Sequence, residues 1–234
     1  MNQRDAWERT VLEFAESLGV SLPADAPARL IAHWRRVEEA GASMNLTAVG
    51  GDEALVKHIL DSLTALTIYD GSGDAADLGA GAGYPGLVLA SCHPASRWVL
   101  IEATGKKARF LLETARALGL ERVQVDGRRA EDVARDARRV DWVTARAVAP
   151  LSATLELSLP LLVLGGRLIA MRGPGGEGEA AEASRAMTQL GGALDEVRRF
   201  GLPGDRGERT LVVVRKTEPT PVKYPRRGGS LGRF

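Results

Sequence analysis

The segment Asp77-Leu78-Gly79-Ala80-Gly81-Ala82-Gly83-Tyr84-Pro85-Gly86 limits what this chain can fold into more than any other. It follows a short apolar run, Ala75–Leu78, and leads into the apolar stretch Tyr84–Cys92. Alternate glycines let the main chain turn tightly and let a ligand approach it closely. Such a loop between a strand and a helix marks the ligand-binding edge of an open parallel sheet. The rest of the chain from Asp74 onward has the matching rhythm. Apolar runs at Trp98–Ile101, Val123–Val125, Trp142–Thr144, Leu168–Met171 and Leu211–Val214 predict strands. Helices fit between them at Lys106–Leu118, Glu131–Arg138, Leu151–Leu162 and Glu179–Leu190. Strand and helix in alternation specify an α/β, Rossmann-like fold. Its sheet is mostly parallel and twisted, with helices on both faces and right-handed crossovers.

The first 70 residues read as helix only. Trp7, Val11, Phe14 and Leu18 define one apolar face, with Gly19 as a stop. Leu30, Ile31, Trp34 and Val37 define a second, and Leu55, Ile59, Leu63 and Leu66 a third. The expected division is a helical extension over 1–70 packed on the core, a sheet domain over 71–218 and a basic tail over 219–234. The N-terminus lacks the apolar core of a signal peptide. The greasiest stretch, Leu155–Met171, is broken by Glu156, Pro160, Gly165, Gly166 and Arg167, so no membrane span is expected. A cytoplasmic protein follows by elimination.

Two ligands compete for the glycine loop. Gly81-x-Gly83-x-x-Gly86 matches the dinucleotide fingerprint, with Glu102 as a ribose-binding acid. In that fingerprint, however, the first glycine follows the strand directly, and here Gly79 does so. Asp77 then stands two residues ahead, awkward for a diphosphate but suited to S-adenosylmethionine, which carries an ammonium and no phosphate. Glu102 closes the second strand, 25 residues after Asp77, where a carboxylate can accept both ribose hydroxyls. The loop register favours the methyl donor; a glycine turn with no ligand is the bland alternative.

Composition limits the chemistry. One cysteine, Cys92, and three histidines leave little material for a disulfide framework or a metal site, and no metal is expected. Lys plus Arg number 31 against 30 Asp plus Glu, which removes the easiest argument for a nucleic-acid partner. The charges are unevenly spread, though. The tail from Pro219 to Phe234 carries Lys223, Arg226, Arg227 and Arg233 and no acid. A neutral total can hide a basic face that binds RNA through its phosphates.

At this point the motifs resemble a known family. The runs Met44-Asn45-Leu46-Thr47-Ala48, Lys57-His58-Ile59-Leu60-Asp61-Ser62-Leu63 and Asp77 to Gly86 are similar to those of the RsmG (GidB) family. So are Gly105-Lys106-Lys107, Arg129-Ala130-Glu131, Ala145-Arg146-Ala147-Val148-Ala149-Pro150-Leu151 and the tail's Lys223-Tyr224-Pro225-Arg226-Arg227. The glycine loop is shared by many methyltransferases; the other runs together are specific. The likeness extends from the second helix almost to the end. It implies a class I S-adenosylmethionine-dependent methyltransferase fold and methylation of N7 of a guanine in 16S ribosomal RNA of the small subunit.

The resemblance also implies site residues. Gly79, Gly81, Gly83 and Tyr84 would contact the donor in the loop, beside Asp77. Glu102, Ala103 and Thr104 would line its ribose and adenine, and Ala130 and Glu131 would close over the adenine. Arg146 would stand near the methyl group and the incoming base, in a positioning role. Lys57, His58, Arg172, Lys223, Arg226 and Arg227 are the candidate RNA contacts, in a protein expected to act as a monomer on ribosomal RNA or the small subunit. Arg172-Gly173 stands where the family usually has Lys-Gly, and Tyr84 where Phe or Leu is commoner. Guanine N7 has a free lone pair, so no general base or covalent cysteine is required. His58 is expected opposite the core face of its helix, where a surface hydrogen bond is as good a reading as RNA contact. His33 and His93 read as surface or packing residues, and Cys92, Trp34, Trp98 and Trp142 as core. Two other functions remain open: the same fold acting on a small molecule or protein, and an RNA-binding module without catalysis.

Overall fold

The computed structural model describes residues 3–44, 46, 50–136 and 139–234, without the side chains of 42–44. Most of the Met44–Ala48 motif, and Arg138, therefore lie outside the described residues. Two helices, α1 (Gln3–Ser17) and α2 (Ala26–Met44), are followed by a composite helical run. It passes from α3 (Gly51–Ala54) through a π turn (Leu55–Leu60) to α4 (Asp61–Leu63) and a 3-10 turn (Thr64–Thr67). Then come β1 (Asp74–Leu78), α5 (Gly86–Cys92), β2 (Arg97–Ile101), α6 (Gly105–Ala117), β3 (Val123–Asp126), α7 (Ala130–Val133) and β4 (Val140–Arg146). The chain continues with α8 (Leu151–Ser158), β5 (Leu162–Arg172), α9 (Gly176–Glu182), α10 (Ser184–Gln189), β6 (Gly192–Gly201) and β7 (Glu208–Lys216).

The seven strands form one sheet in the order β3-β2-β1-β4-β5-β7-β6. The first five pair in parallel, whereas β7 is antiparallel to both β5 and β6. The mostly parallel sheet with helices on both faces agrees with the expectation. Strand β6 was not foreseen. It carries Asp195, Glu196, Arg198 and Arg199 on an exposed edge, and a register shift between Leu194 and Glu196 breaks its alternation. Edge strands are commonly charged, which blunts pairing with other chains but also hides the strand pattern. The helix expected over Glu179–Leu190 is two helices meeting at Ala183, and α7 is a single turn.

Each face of the sheet has its own apolar layer. On one, Val11, Leu30 and Trp34 from the first two helices join Leu87, Trp98, Phe110 and Trp142. On the other, Leu155 and Met187 cover Leu168, Val212 and Val214, and Tyr224 of the tail joins them. The N-terminal helices thus share one core with the sheet. Burial of Trp34 and Trp98, both nearly inaccessible, is worth about 3 kcal/mol each on transfer arguments.

The tail is anchored by a buried acid. Glu156 of α8 is fully buried and accepts hydrogen bonds from the backbone N of Arg226 at 2.6 Å, its Nε at 2.9 Å and its Nη2 at 2.7 Å. The Gly232 amide adds a fourth at 2.8 Å. Burial alone would raise the pKa of Glu156, but these donors outweigh it and hold the carboxyl below its ordinary value.

Candidate active site

Chain order reverses at β1, whose neighbours are β2 on one side and β4 on the other. Ligands bind at such switch points, outside the carboxyl ends of the strands. A cleft of about 640 Å³ opens there, lined by Gly79 to Ala82, Tyr84, His58, Asp61, Arg146 and Arg209 among others.

The glycine loop is held from below. Asp77 is fully buried. Its Oδ2 accepts the Gly86 amide at 2.9 Å and its Oδ1 accepts the Thr144 hydroxyl at 2.8 Å. Each carboxylate oxygen thus takes one donor from the protein, tying β1 to β4 and to the start of α5. Gly86 makes this possible: a Cβ there would fall 2.7 Å from Asp77 Oδ2 and 2.6 Å from Leu100. Gly79, Gly81 and Gly83 all have positive φ, at 68°, 56° and 94°, a region L side chains rarely adopt. A Cβ on Gly81 would meet only the Gly79 carbonyl, 3.7 Å away, so the loop leaves open space above it.

Glu102 directly follows β2, beside this loop. It accepts the Gly81 amide on Oε2 at 3.0 Å and the Thr104 amide on Oε1 at 2.7 Å. Each oxygen keeps a second lone pair. Ala103 and Thr104 are exposed next to it. An open glycine bend with a carboxylate fixed at its rim fits a ribose diol and would repel a diphosphate. Ala130 and Glu131 begin α7 one strand further along; neither lines the cleft, and Ala130 packs against the far apolar layer.

Tyr84 forms the floor on the helical side. Its ring is buried between two imidazoles, His33 at 4.6 Å and His58 at 4.9 Å between centroids. His33 is fully buried and its Nε2 lies 2.7 Å from the Ala82 carbonyl, so the neutral ring donates there. Burial lowers its pKa to about 4. Burial and the Arg146 charge lower His58 to about 4 as well. Burial pushes Asp77 the other way, to about 7.

These shifts predict a pH profile for stability. A histidine lowered from 6.5 to about 4 stabilises the fold above pH 6.5 and loses that contribution as pH falls through this window. Asp77, raised from 3.8 to about 7, has the opposite sign between those values. With two histidines against one acid, denaturant melts should show stability falling from pH 6.5 to 4. Asp77→Asn, which removes the opposing group, should make that fall steeper.

Arg146, the last residue of β4, reaches across to the composite helix. Its Nη1 donates to Asp61 Oδ2 at 3.1 Å and to the Lys57 carbonyl at 3.0 Å, while Nη2 lies 3.3 Å from His58 Nδ1. The guanidinium also sits 5.2 Å from the Tyr84 ring centroid, within cation–π range. Asp61 is almost fully buried and forms an ion pair with a second guanidinium, the Nε of Arg209, at 3.1 Å. An extra residue in the helical turn at Leu55–Leu60 shifts the phase that simple periodicity assumes, and such turns are frequent at functional sites. His58, expected on the solvent side, instead stacks on Tyr84; its spacing of three from Leu55 places it on the flank of the apolar stripe. Ala147, directly after Arg146, has a φ of 54°, which is strained for a residue with a Cβ.

The remaining candidates are distributed differently. Lys57 lines the cleft and pairs with Glu53. Arg172 also lines it, but its guanidinium donates to the Ala149 carbonyl at 2.7 Å and to Thr154 Oγ1 at 2.8 Å. The planar fork thus braces the loop after β4, a task a single ammonium could not repeat. Arg226 is held by Glu156, Arg227 pairs with Asp132 at 2.8 Å, and Lys223 sits 5.2 Å from the Tyr224 ring centroid. All three lie in the docked tail, away from the cleft. Cys92 is buried and its thiol is pushed up to about 12. No group of three or more metal-ligating side chains occurs among the described residues. No helix among them is long and apolar enough to cross a membrane. Sequence reasoning missed Arg209 and the role of Asp61, and did not see that His33 supports the loop.

The sheet order and the glycine cleft at its switch point define the class I methyltransferase fold. Two solved structures share it: TrmN from Thermus thermophilus (TM-score 0.52, 22% identity, 69% of this chain and 53% of that one), and M. jannaschii TYW2 in complex with AdoMet (TM-score 0.56, 16% identity, 74% and 79%). Residues 27–211 match the family model of rRNA small subunit methyltransferase G, GidB, and the chain belongs to that family. The Ribosomal RNA small subunit methyltransferase G of Pelotomaculum thermopropionicum is 41% identical over 227 residues, covering 94% of this chain and 95% of that protein. The protein of the same name from Deinococcus radiodurans is 44% identical over 208 residues, covering 86% and 81%.

Proposed function

We propose that this chain transfers a methyl group from S-adenosylmethionine to N7 of a guanine in 16S ribosomal RNA, in the cytoplasm and as a monomer. Family membership over residues 27–211 carries the reading, and the cleft is chemically consistent with it. S-adenosylmethionine, when bound, supplies a sulfonium methyl open to attack by a lone pair. Glu102 is suited to the ribose hydroxyls, the backbone of Gly79 to Gly83 to the methionine end, and Ala103 and Thr104 to the adenine side.

Arg146 holds the base side of the cleft, fixed by Asp61 and the Lys57 carbonyl. Guanine N7 gives up no proton when it is methylated, so no side chain has to act as a base. The side chains on hand agree: His33 and His58 are neutral at pH 7, and the Cys92 thiol is buried and protonated. What the protein contributes is alignment of the reacting groups and exclusion of water.

The deciding assay offers labelled donor to deproteinised 16S RNA, small subunits and whole ribosomes that lack the modification, with nucleosides identified by mass spectrometry. N7-methylguanosine from at least one substrate is expected; its absence from all three refutes the proposal. Glu102→Ala should weaken donor binding by about 10- to 100-fold in calorimetry, the range of a charge-assisted hydrogen bond. Unchanged affinity would remove the cofactor assignment.

A further inference from the structure

Strand β7 runs from the methyl-transfer cleft to the opposite edge of the sheet. Arg209 stands near its first end and Lys216 closes the other, about 24 Å away at the usual rise of a strand. At that far edge a second cleft of about 570 Å³ opens, lined by Arg135, Arg139, Lys216, Leu164, Val222 and Tyr224 among others. The described residues lining it include three cations and no carboxylate.

Lys216 is the unusual member. It is 4% exposed, and its ammonium donates to the Leu190 carbonyl at 3.1 Å and to the Thr220 hydroxyl. Both acceptors are neutral. Among the described residues neither Lys216 nor Arg135 forms a salt bridge. Arg139 donates to the Asp136 carbonyl, and Arg135 to the Pro225 carbonyl at 2.5 Å. Burial and the charge of Arg139 lower the Lys216 pKa to about 8. Buried charges are normally paired, and this one faces an open cleft.

The geometry points to a phosphate-binding site in this cleft, filled by the backbone of the RNA substrate at a position remote from the methylated base. The RNA assignment rests on the function proposed above; the anion site does not. Lys216, Arg135 and Arg139 supply the charge. The exposed side chains of Leu164 and Val222 give an unpaired nucleotide an apolar surface beside it.

The test uses the full chain with two variants. Lys216→Met removes the charge and keeps most of the volume. Val222→Glu, at a fully exposed position, places a carboxylate at the mouth and should fold normally. Binding to 16S RNA is followed by anisotropy over a salt series, and binding of inorganic phosphate by thermal stabilisation over chloride at equal ionic strength. Both variants should bind RNA several-fold more weakly at low salt. Losing one phosphate contact should also flatten the salt slope by about 0.7 to 0.9. S-adenosylmethionine affinity should not change, and phosphate should stabilise the native chain but not the variants.

Unchanged slopes together with unchanged phosphate stabilisation overturn the site. Lost phosphate stabilisation with an unchanged RNA slope overturns the RNA assignment and leaves a free phosphate as the ligand. Flattened slopes in a protein that fails to methylate RNA refute the proposed reaction and uphold this site.

Discussion

Replacing Arg146 by alanine is expected to lower kcat for methyl transfer by about 100- to 1,000-fold, the range seen when one preorganised donor is removed from a reacting centre. Donor affinity, read by calorimetry, should change far less, because among the described residues neither Glu102 nor the loop glycines hydrogen-bond to Arg146, whose one loop contact is the Tyr84 ring face. The geometry explains the asymmetry. Arg146 is pinned by Asp61, the Lys57 carbonyl and His58, so its guanidinium enters the cleft in a fixed orientation rather than as a mobile charge. Arg146→Lys keeps the charge but cannot span those acceptors, and should recover only a small part of the activity. Retained kcat in Arg146→Ala would mean that the arginine does not position the base. A lowered melting temperature with normal kcat would reduce it to a brace between β4 and the composite helix. Asp61→Asn should act in the same direction, since it weakens the hold on both Arg146 and Arg209.

The second large effect concerns the tail. Arg226→Ala should destabilise the fold by about 3–5 kcal/mol, the cost of leaving a buried charge without its partner. Glu156 is completely enclosed and Arg226 supplies three of its four donors, of which alanine would retain only the amide. Urea melts at pH 7 give the measurement. In a Glu156→Gln background the same substitution should cost much less, because no charge is then stranded; equal costs in both backgrounds would show that the pair is not coupled. The expectation that Arg226 serves mainly as an RNA contact meets a competing demand here. The arginine is 26% exposed as a side chain, and its forked donors are already committed to α8.

Most of the architecture was legible before any coordinate. Glycines at alternate positions after a short apolar run, with helices and strands alternating behind them, admit few folds. The parallel sheet with its loop at the switch point follows from chain connectivity and handedness. Motif likeness similarly placed Glu102 at the end of a strand and Arg146 at the end of another, since both are properties of local sequence order. What failed had physical causes. Strand β6 is a charged edge strand with a register shift, so its apolar alternation is faint. His58 stands three residues after Leu55, on the flank of the apolar stripe, and only the packing of the Tyr84 ring against that flank decides that it faces the cleft.

By itself, then, the sequence determined the order of most elements, the glycine loop and the family, all of which depend on spacing along the chain. Only the tertiary structure decided how charges are partnered. Asp61 meets Arg209 across nearly 150 residues of chain, because β7 runs antiparallel to β5 and brings its first residues to the edge where the parallel strands end. The same reversal carries Lys216 to the opposite edge, buried and, among the described residues, without a salt bridge. Whether an arginine braces the fold or faces a ligand depends on which carboxylate lies within about 3 Å, and that distance is set by packing.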